Sequence, residues 1–184
     1  CLLAVGAESI ANSEPDFHPR LVVLDYKPKA KSTEHVALVG KGITFDTGGL
    51  CLKPTNYMLD MKSDMGGSAT VLSVFKAIAG LAKSSKPKAR VTGVLALAEN
   101  GFGASSYKPG DVLHAMNGKT VQVVDTDAEG RLALADALSY VSTLKPDRII
   151  DFATLTGSIV VALGEAAAGA MTNDEEFLTK VKNS

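Results

Sequence analysis

The chain has 184 residues, 46% of them apolar and 21% charged, with a formal net charge of −1. That is enough for one domain with a real core, and the near-neutral balance gives no electrostatic reason to expect nucleic acid or an anionic membrane as partner. Two cysteines, Cys1 and Cys51, exclude a disulfide framework and fit a reducing, cytoplasmic compartment.

In chain order, strand and helix patterns alternate. Arg20 to Tyr26 and His35 to Val39 are short, apolar, β-branched runs and read as buried strands. Lys27 to Glu34, with Pro28 and several charges, reads as a solvated turn, and Gly40 to Gly49 as a glycine-dense loop. Between Met58 and Ala82, Leu72, Phe75, Ile78 and Ala79 recur at helical spacing. They predict one long helix, with a start after Gly66-Gly67 as the alternative. Pro87 breaks it, and Arg90 to Ala98 is the strongest strand, apolar enough to be covered on both faces. After a loop from Glu99 to Gly110, Asn117-Gly118 predicts a hairpin of Val112 to Met116 against Thr120 to Val124. Arg131 to Leu144 reads as a helix stopped by Lys145-Pro146-Asp147, and Arg148 to Ala153 as a further buried strand.

The most apolar stretch, Gly157 to Met171, is interrupted by Glu165 and by glycines and is too short to span a bilayer. No signal-peptide pattern precedes the first elements. The alternation implies an α/β layered fold, with the hairpin making the sheet mixed. A start at Cys1 and a stop at Ser184, inside a helical pattern, fit a piece of a longer protein.

Most familiar chemistries are absent. The histidines, His18, His35 and His114, form no HExxH, and none is expected to be a ligand; there is no CxxC, GxxxxGK[ST], GxGxxG or GxSxG. What remains is a set of acids in unusual places. Asp125, Asp127 and Glu129 lie between a strand and a helix, a junction where α/β folds place ligands. A single acid there would serve as a helix cap, but three within five residues ask for more. Asp46 lies among Gly42, Gly48 and Gly49, where an Asx-turn is the simpler reading. Asp60 and Asp64 share a face if helical, and Asp64 runs into Gly66-Gly67. Oxygen-rich sites without histidine suit hard or borderline divalent cations, and shared carboxylates suit a pair of them. Two like charges ~4 Å apart repel by roughly 4 kcal/mol at an effective dielectric near 20, so four carboxylates need compensating cations.

The blocks VGKGITFDTGG (Val39 to Gly49), LKP (Leu52 to Pro54), MKSDMGG (Met61 to Gly67), DTDAEGRL (Asp125 to Leu132) and ATLTG (Ala153 to Gly157) resemble, in sequence and order, the leucyl aminopeptidase (M17) family. The likeness runs from about Leu3 to the end, and DAEGRL is its most specific part. It implies a three-layer α/β/α fold with a mixed, mostly parallel central sheet. Residues 1–184 would form a single catalytic domain, without the family's N-terminal domain and the C-terminal part of its catalytic domain.

The resemblance also implies an aminopeptidase using two divalent ions, Zn2+ or Mn2+, with Mg2+ or Co2+ as alternatives. Lys41, Asp46, Asp64 and Glu129 would hold the tighter ion and Asp46, Asp127 and Glu129 the more exchangeable one. Lys53 and Arg131 take the catalytic positions, with bicarbonate at Arg131 as general base, and Met61 and Thr154 line the pocket for the first side chain. Lys41 must be neutral to ligate, whereas Lys53 can stay protonated and donate to an oxyanion. Substrates would be peptides with a free N-terminus, leucine-like residues preferred, and the full-length family assembles as homohexamers. Some members also bind DNA, which the neutral charge and 5% aromatic content argue against here. The alternative is a weak or inactive fragment serving as a binding or assembly module. One departure is Asp125, where the family usually has Asn. Another expectation is that Ile149, Ile150, Phe152, Ile159, Val160, Val161 and Leu163 need cover from other elements or face solvent.

Overall fold

A computed structural model describes all residues, 1–184. Its central sheet is made of β1 (Arg20–Tyr26), β2 (His35–Asp46), β3 (Arg90–Asn100) and β6 (Arg148–Phe152), in the order β1-β3-β2-β6. β2 runs parallel to both β3 and β6, and β1 runs antiparallel to β3. The mixed character therefore comes from β1. The Asn117-Gly118 hairpin does form, as β4 (Val112–His114) against β5 (Thr120–Gln122), but as a separate two-stranded sheet.

Helix α4 (Gly66–Gly80) covers one face and α5 (Glu129–Thr143) the other, giving the three layers. Side chains of a strand alternate between faces, so Leu38 joins Val91, Leu95, Val71 and Ile78 on the α4 side. Ala37, Val39, Ile43, Val94, Ala96 and Ala98 meet Leu132, Ala133, Ala137 and Val141 of α5 on the other side. The short helix α1 (Leu2–Val5) adds Leu2 and Val5 to that second core. Each fully buried aliphatic side chain contributes about 1.5–3 kcal/mol. The remaining helices, α2 (Ala7–Asn12), α3 (Thr55–Met58), α6 (Ser158–Leu163) and α7 (Glu175–Lys182), are peripheral, and no helix is long and apolar enough to cross a membrane.

Two readings of the sequence need correction here. The run from Met58 to Ala82 is not one helix: α3 ends at Met58, a 3-10 turn spans Met61–Ser63, and α4 starts at Gly66, next to the alternative start after Gly66-Gly67. Asp60 and Asp64 therefore share no helix face; Asp60 is exposed and Asp64 buried. The buried stripe of α4 is Val71, Val74, Phe75 and Ile78, while Leu72 is 52% exposed and Ala79 also faces outward.

The second correction concerns Gly40 to Asp46, which is strand rather than loop. Gly40 and Gly42 lie where a Cβ would strike the backbone or side chain of Ser68, or Leu97. These glycines serve close helix-on-sheet packing, not a turn. The β2–β3 register shifts between Ile43 and Asp46, where Ile43 pairs with Ala98 and Asp46 with Asn100. Three steps on β2 thus match two on β3, a bulge. It lets Asp46 share the α5 face with Lys41, although the two are an odd number of residues apart.

Beyond β6 the chain is thinly covered. Ile150 and Phe152 pack on the α4-side core, but Ile149 is 38%, Val160 47%, Leu163 49% and Val161 90% exposed.

Candidate metal centre

The carboxyl ends of β2, β3 and β6 and the amino ends of α4 and α5 converge on one buried cluster. The chain leaves β2 through a tight turn in which Gly48 and Gly49 adopt positive φ, and a Cβ on Gly48 would meet Cys51 O, Lys53 N and Asp127 Oδ1. Only glycine fits that conformation without strain. The turn brings Lys53 back over the end of the strand, and Lys53 N donates to Thr47 O at 2.9 Å.

Lys41 is almost completely buried and its ammonium nitrogen is surrounded by acceptors. It lies 2.7 Å from Asp64 Oδ2 and 3.1 Å from Glu129 Oε1, and donates to Asp64 Oδ1 at 2.8 Å and to the carbonyl of Thr154 at 2.9 Å. Space for this amine exists because residue 130 is glycine: a Cβ there would collide with Cδ, Cε and Nζ of Lys41. Thr154 also donates its hydroxyl to Asp64 Oδ1 at 2.8 Å, so the segment after β6 fixes both partners. Asp46, Asp64 and Glu129 each present an oxygen within 4.8 Å of the others, and all three side chains are buried.

Lys53 sits at the mouth, 2.9 Å from Asp46 Oδ2 and 2.5 Å from Asp127 Oδ1. Partial burial works against its charge, but the carboxylates of Asp127 and Asp46 outweigh this and hold its pKa well above that of an ordinary lysine. The acids shift the other way. Burial pushes Glu129 up to about 7, opposed by Lys41 and reinforced by Asp46. Burial likewise raises Asp64 against the pull of Lys41 and Thr154. Asp127 is raised by burial too, against Lys53, with Asp46 and then Asp125 adding to the rise.

The cluster is short of positive charge. Four carboxylates face two lysines; the buried Glu129 Oε2 has neither a hydrogen bond nor an ion pair, and Asp64 Oδ2 has only the Lys41 nitrogen beside it. Unpaired buried oxygens cost free energy unless something else occupies their lone pairs. Hard divalent cations fit that donor set.

The predicted site residues fall into two groups. Lys41, Asp46, Asp64, Glu129, Lys53 and Asp127 come together as described, with Thr154 in contact through its hydroxyl and carbonyl. Arg131 and Met61 do not join. Arg131 is exposed on α5, without an ion pair, beside a cavity of about 310 Å³ that it lines with Val121 to Asp125, Ala128 and Leu132. Met61 is half-buried in the 3-10 turn before Asp64. Asp125 acts as a cap, accepting the Asp127 N–H at 2.8 Å, which an Asn oxygen would do equally well. None of the histidines enters the cluster: His35 Nε2 bonds Thr92 Oγ1, His18 Nε2 bonds Ser13 O, and His114 is exposed on β4.

Three residues that carried no signal in the sequence form a buried frame around the acids. Asn100 Nδ2 donates to Asp46 Oδ1 and to Thr126 O, Tyr107 Oη donates to Thr126 O, and Thr126 Oγ1 donates to Gly48 O. Neutral polar residues are recognisable as supports only once their burial is known.

The model of the cytosol aminopeptidase family, catalytic domain, matches residues 1–184. The chain is 51% identical to a probable cytosol aminopeptidase of Aquifex aeolicus over 166 residues, covering 90% of this chain and 33% of that one. It is 54% identical to a probable cytosol aminopeptidase of Fusobacterium nucleatum over 164 residues, covering 89% and 34%. A solved leucine aminopeptidase from Caenorhabditis elegans superposes with a TM-score of 0.87 at 39% identity, over 98% of this chain and 35% of that one. The chain thus spans about a third of the length of the relatives it matches. With this match over its whole length, the chain belongs to the cytosol aminopeptidase family, as part of its catalytic domain.

Proposed function

We propose that the protein containing this chain is a two-metal aminopeptidase that removes N-terminal residues, leucine-like ones preferred, from peptides. The observation that carries this reading is the buried trio Asp46, Asp64 and Glu129 beside Lys41, with Glu129 Oε2 left unpaired. Lys41, Asp46, Asp64 and Glu129 would hold the tighter ion and Asp46, Asp127 and Glu129 the more exchangeable one, Zn2+ or Mn2+ suiting both. Divalent ions there supply Lewis acidity towards the scissile carbonyl and lower the pKa of water at neutral pH.

The chain's own residues supply the rest. Lys53, kept protonated by Asp46 and Asp127, donates to the oxygen on which charge develops as the carbonyl becomes tetrahedral. Arg131, exposed beside its cavity, offers a planar fork to a carboxylate-like anion such as bicarbonate. Met61 and Thr154 border the space for the first side chain, and Thr154 holds Asp64 and Lys41 in place as well. Residues 1–184 act as one unit of a catalytic domain in a cytoplasmic homohexamer. The relatives' names, cytosol aminopeptidase and leucine aminopeptidase, support the substrate class and compartment.

The test is to strip the full-length protein of metal, restore Mn2+ or Zn2+, and follow hydrolysis of leucine anilide with a free and with an acetylated amino group. Two ions per chain and cation-dependent cleavage of the free substrate alone are expected. Cleavage that ignores the cation, or proceeds equally on the acetylated substrate, would overturn the assignment.

A second reading, an isolated fragment serving as an assembly module, draws on the exposed apolar residues of α6, notably Val161. The mass of the 184-residue chain in solution decides it, a stable and fully active monomer being the outcome against.

A further inference from the structure

Asn100 ends β3 with its side chain completely buried, beside the acids but carrying no charge. Its amide nitrogen donates to Asp46 Oδ1 at 2.8 Å and to the Thr126 carbonyl at 3.0 Å. Both partners are acceptors, so the NH2 group must face them; the opposite amide orientation would set three oxygens against one another. The cost is visible on the other side, where Asn100 Oδ1 is buried and accepts nothing. A fold seeking stability alone would not keep an unpaired acceptor there.

The Asp46 carboxylate is divided by this arrangement. Oδ1 takes the Asn100 amide and the Gly48 N–H at 2.9 Å, while Oδ2 takes no neutral donor and faces Lys53. The same amide ties the end of β2 to the peptide just before Asp127, two residues ahead of Glu129.

We propose that Asn100 is a positioning residue for the metal centre. It fixes the rotation of the Asp46 carboxylate so that Oδ2 is the oxygen offered to cations, and it sets the spacing between Asp46 and the Asp127–Glu129 turn. This rests on the two-metal reading above. Asn100 touches neither substrate nor cation; it acts through Asp46 and Thr126. Tyr107 provides an internal control, because its hydroxyl donates to the same Thr126 carbonyl at 2.7 Å without a hydrogen bond to Asp46.

The experiment uses the full-length protein, stripped of metal, and titrates Mn2+ into wild type, Asn100→Ala, Asn100→Ser and Tyr107→Phe. Calorimetry gives affinity and stoichiometry, and the melting temperature of each metal-free protein is recorded alongside. Asn100→Ala is expected to bind Mn2+ 10–100-fold more weakly, the usual effect of removing a group that orients a ligand. Asn100→Ser should fall between it and wild type, and Tyr107→Phe should lose less than either. Wild-type affinity in a folded Asn100→Ala protein overturns the inference, and so does an equal loss in Tyr107→Phe, which would route the effect through Thr126 alone. Failure of both Asn100 variants to fold overturns it too, since the residue would then belong to the fold rather than to the ligand. No Mn2+ binding by wild type would instead refute the two-metal reading itself.

Discussion

Two groups of charge sit at opposite ends of the same strands. At the amino end of β3, Arg90 grips Asp25 through Nε and Nη2, each bond 2.9 Å long, while Lys27 lies 3.4 Å from the same carboxylate. These groups are partly exposed and the acid is well matched by cations, so Arg90 foremost holds the Asp25 pKa below its ordinary value despite some burial. At the other end, where β3 finishes in Asn100, acids outnumber lysines, burial dominates, and Asp64 and Glu129 are raised. The same residue types give opposite shifts because solvent and stoichiometry differ. An ion pair that is complete explains itself; a buried one with oxygens left over points to a missing partner.

The contrast breaks most sharply at the two lysines. Lys53→Met should leave cation content intact and cut kcat by about 10²–10³, the cost of one oxyanion donor. Lys41→Met should lower the cation content itself. Elemental analysis beside steady-state kinetics separates the two, and equal metal loss in both variants would show that the division of labour is wrong.

Cation removal comes next. If the surplus of carboxylates is compensated by ions, Mn2+ at a hundredfold excess over its Kd should stabilise the protein by about 2.7 kcal/mol. A chelator should reverse the gain, and scanning calorimetry that finds no difference would leave the acids without their counter-ions.

Gly130→Ala sharpens the geometry. Alanine favours a helix interior over glycine by up to about 1 kcal/mol, yet here its Cβ would enter the space of the Lys41 side chain. The backbone helix should persist by circular dichroism while Mn2+ affinity falls about tenfold or more, the loss associated with a displaced ligand. Unchanged affinity would show that Lys41 has room to spare.

The smallest effect belongs to the exposed end. Asp25→Asn should cost about 0.2–1 kcal/mol at pH 7, the range for a solvent-screened ion pair. Because the folded-state pKa is lowered, the contribution is present above the ordinary value of 3.8 and fades as pH falls through the folded one. Wild type and variant should therefore converge in acid, and urea titrations at pH 7 and pH 3 would reveal a gap that fails to close.

How much of this was legible beforehand depends on what each residue type announces. Apolar runs located every strand of the central sheet, but only β2 and β3 are buried. β1 and β6, read from the sequence as buried, lie at the sheet's edges and have no fully buried residue. Gly40 and Gly42 misled, since glycine required by a neighbouring helix looks the same in a sequence as glycine required by a turn. The stripe of α4 was misplaced around Leu72 because periodicity gives the pitch of a helix and leaves its phase open. The acids and lysines of the site stood out as charges in apolar or glycine-rich surroundings. Asn100, Tyr107 and Thr126 did not, because a neutral amide or hydroxyl becomes informative only when the fold removes its water.

The bulge between Ile43 and Asp46 has a consequence for how this chain can vary in length. Lys41 and Asp46 point to the same side because the bulge absorbs one of the five steps between them on β2. Deleting the extra residue would restore a regular ladder with Asp46 four steps after Lys41, still on the α5 face, and every apolar residue before Ile43 would keep its place. The bulge is thus the one place in β2 where a residue can be lost without exchanging the faces of the strand. A variant one residue shorter at the bulge would still present Asp46 beside Lys41, whereas one residue lost between Lys41 and Ile43 would turn them to opposite faces.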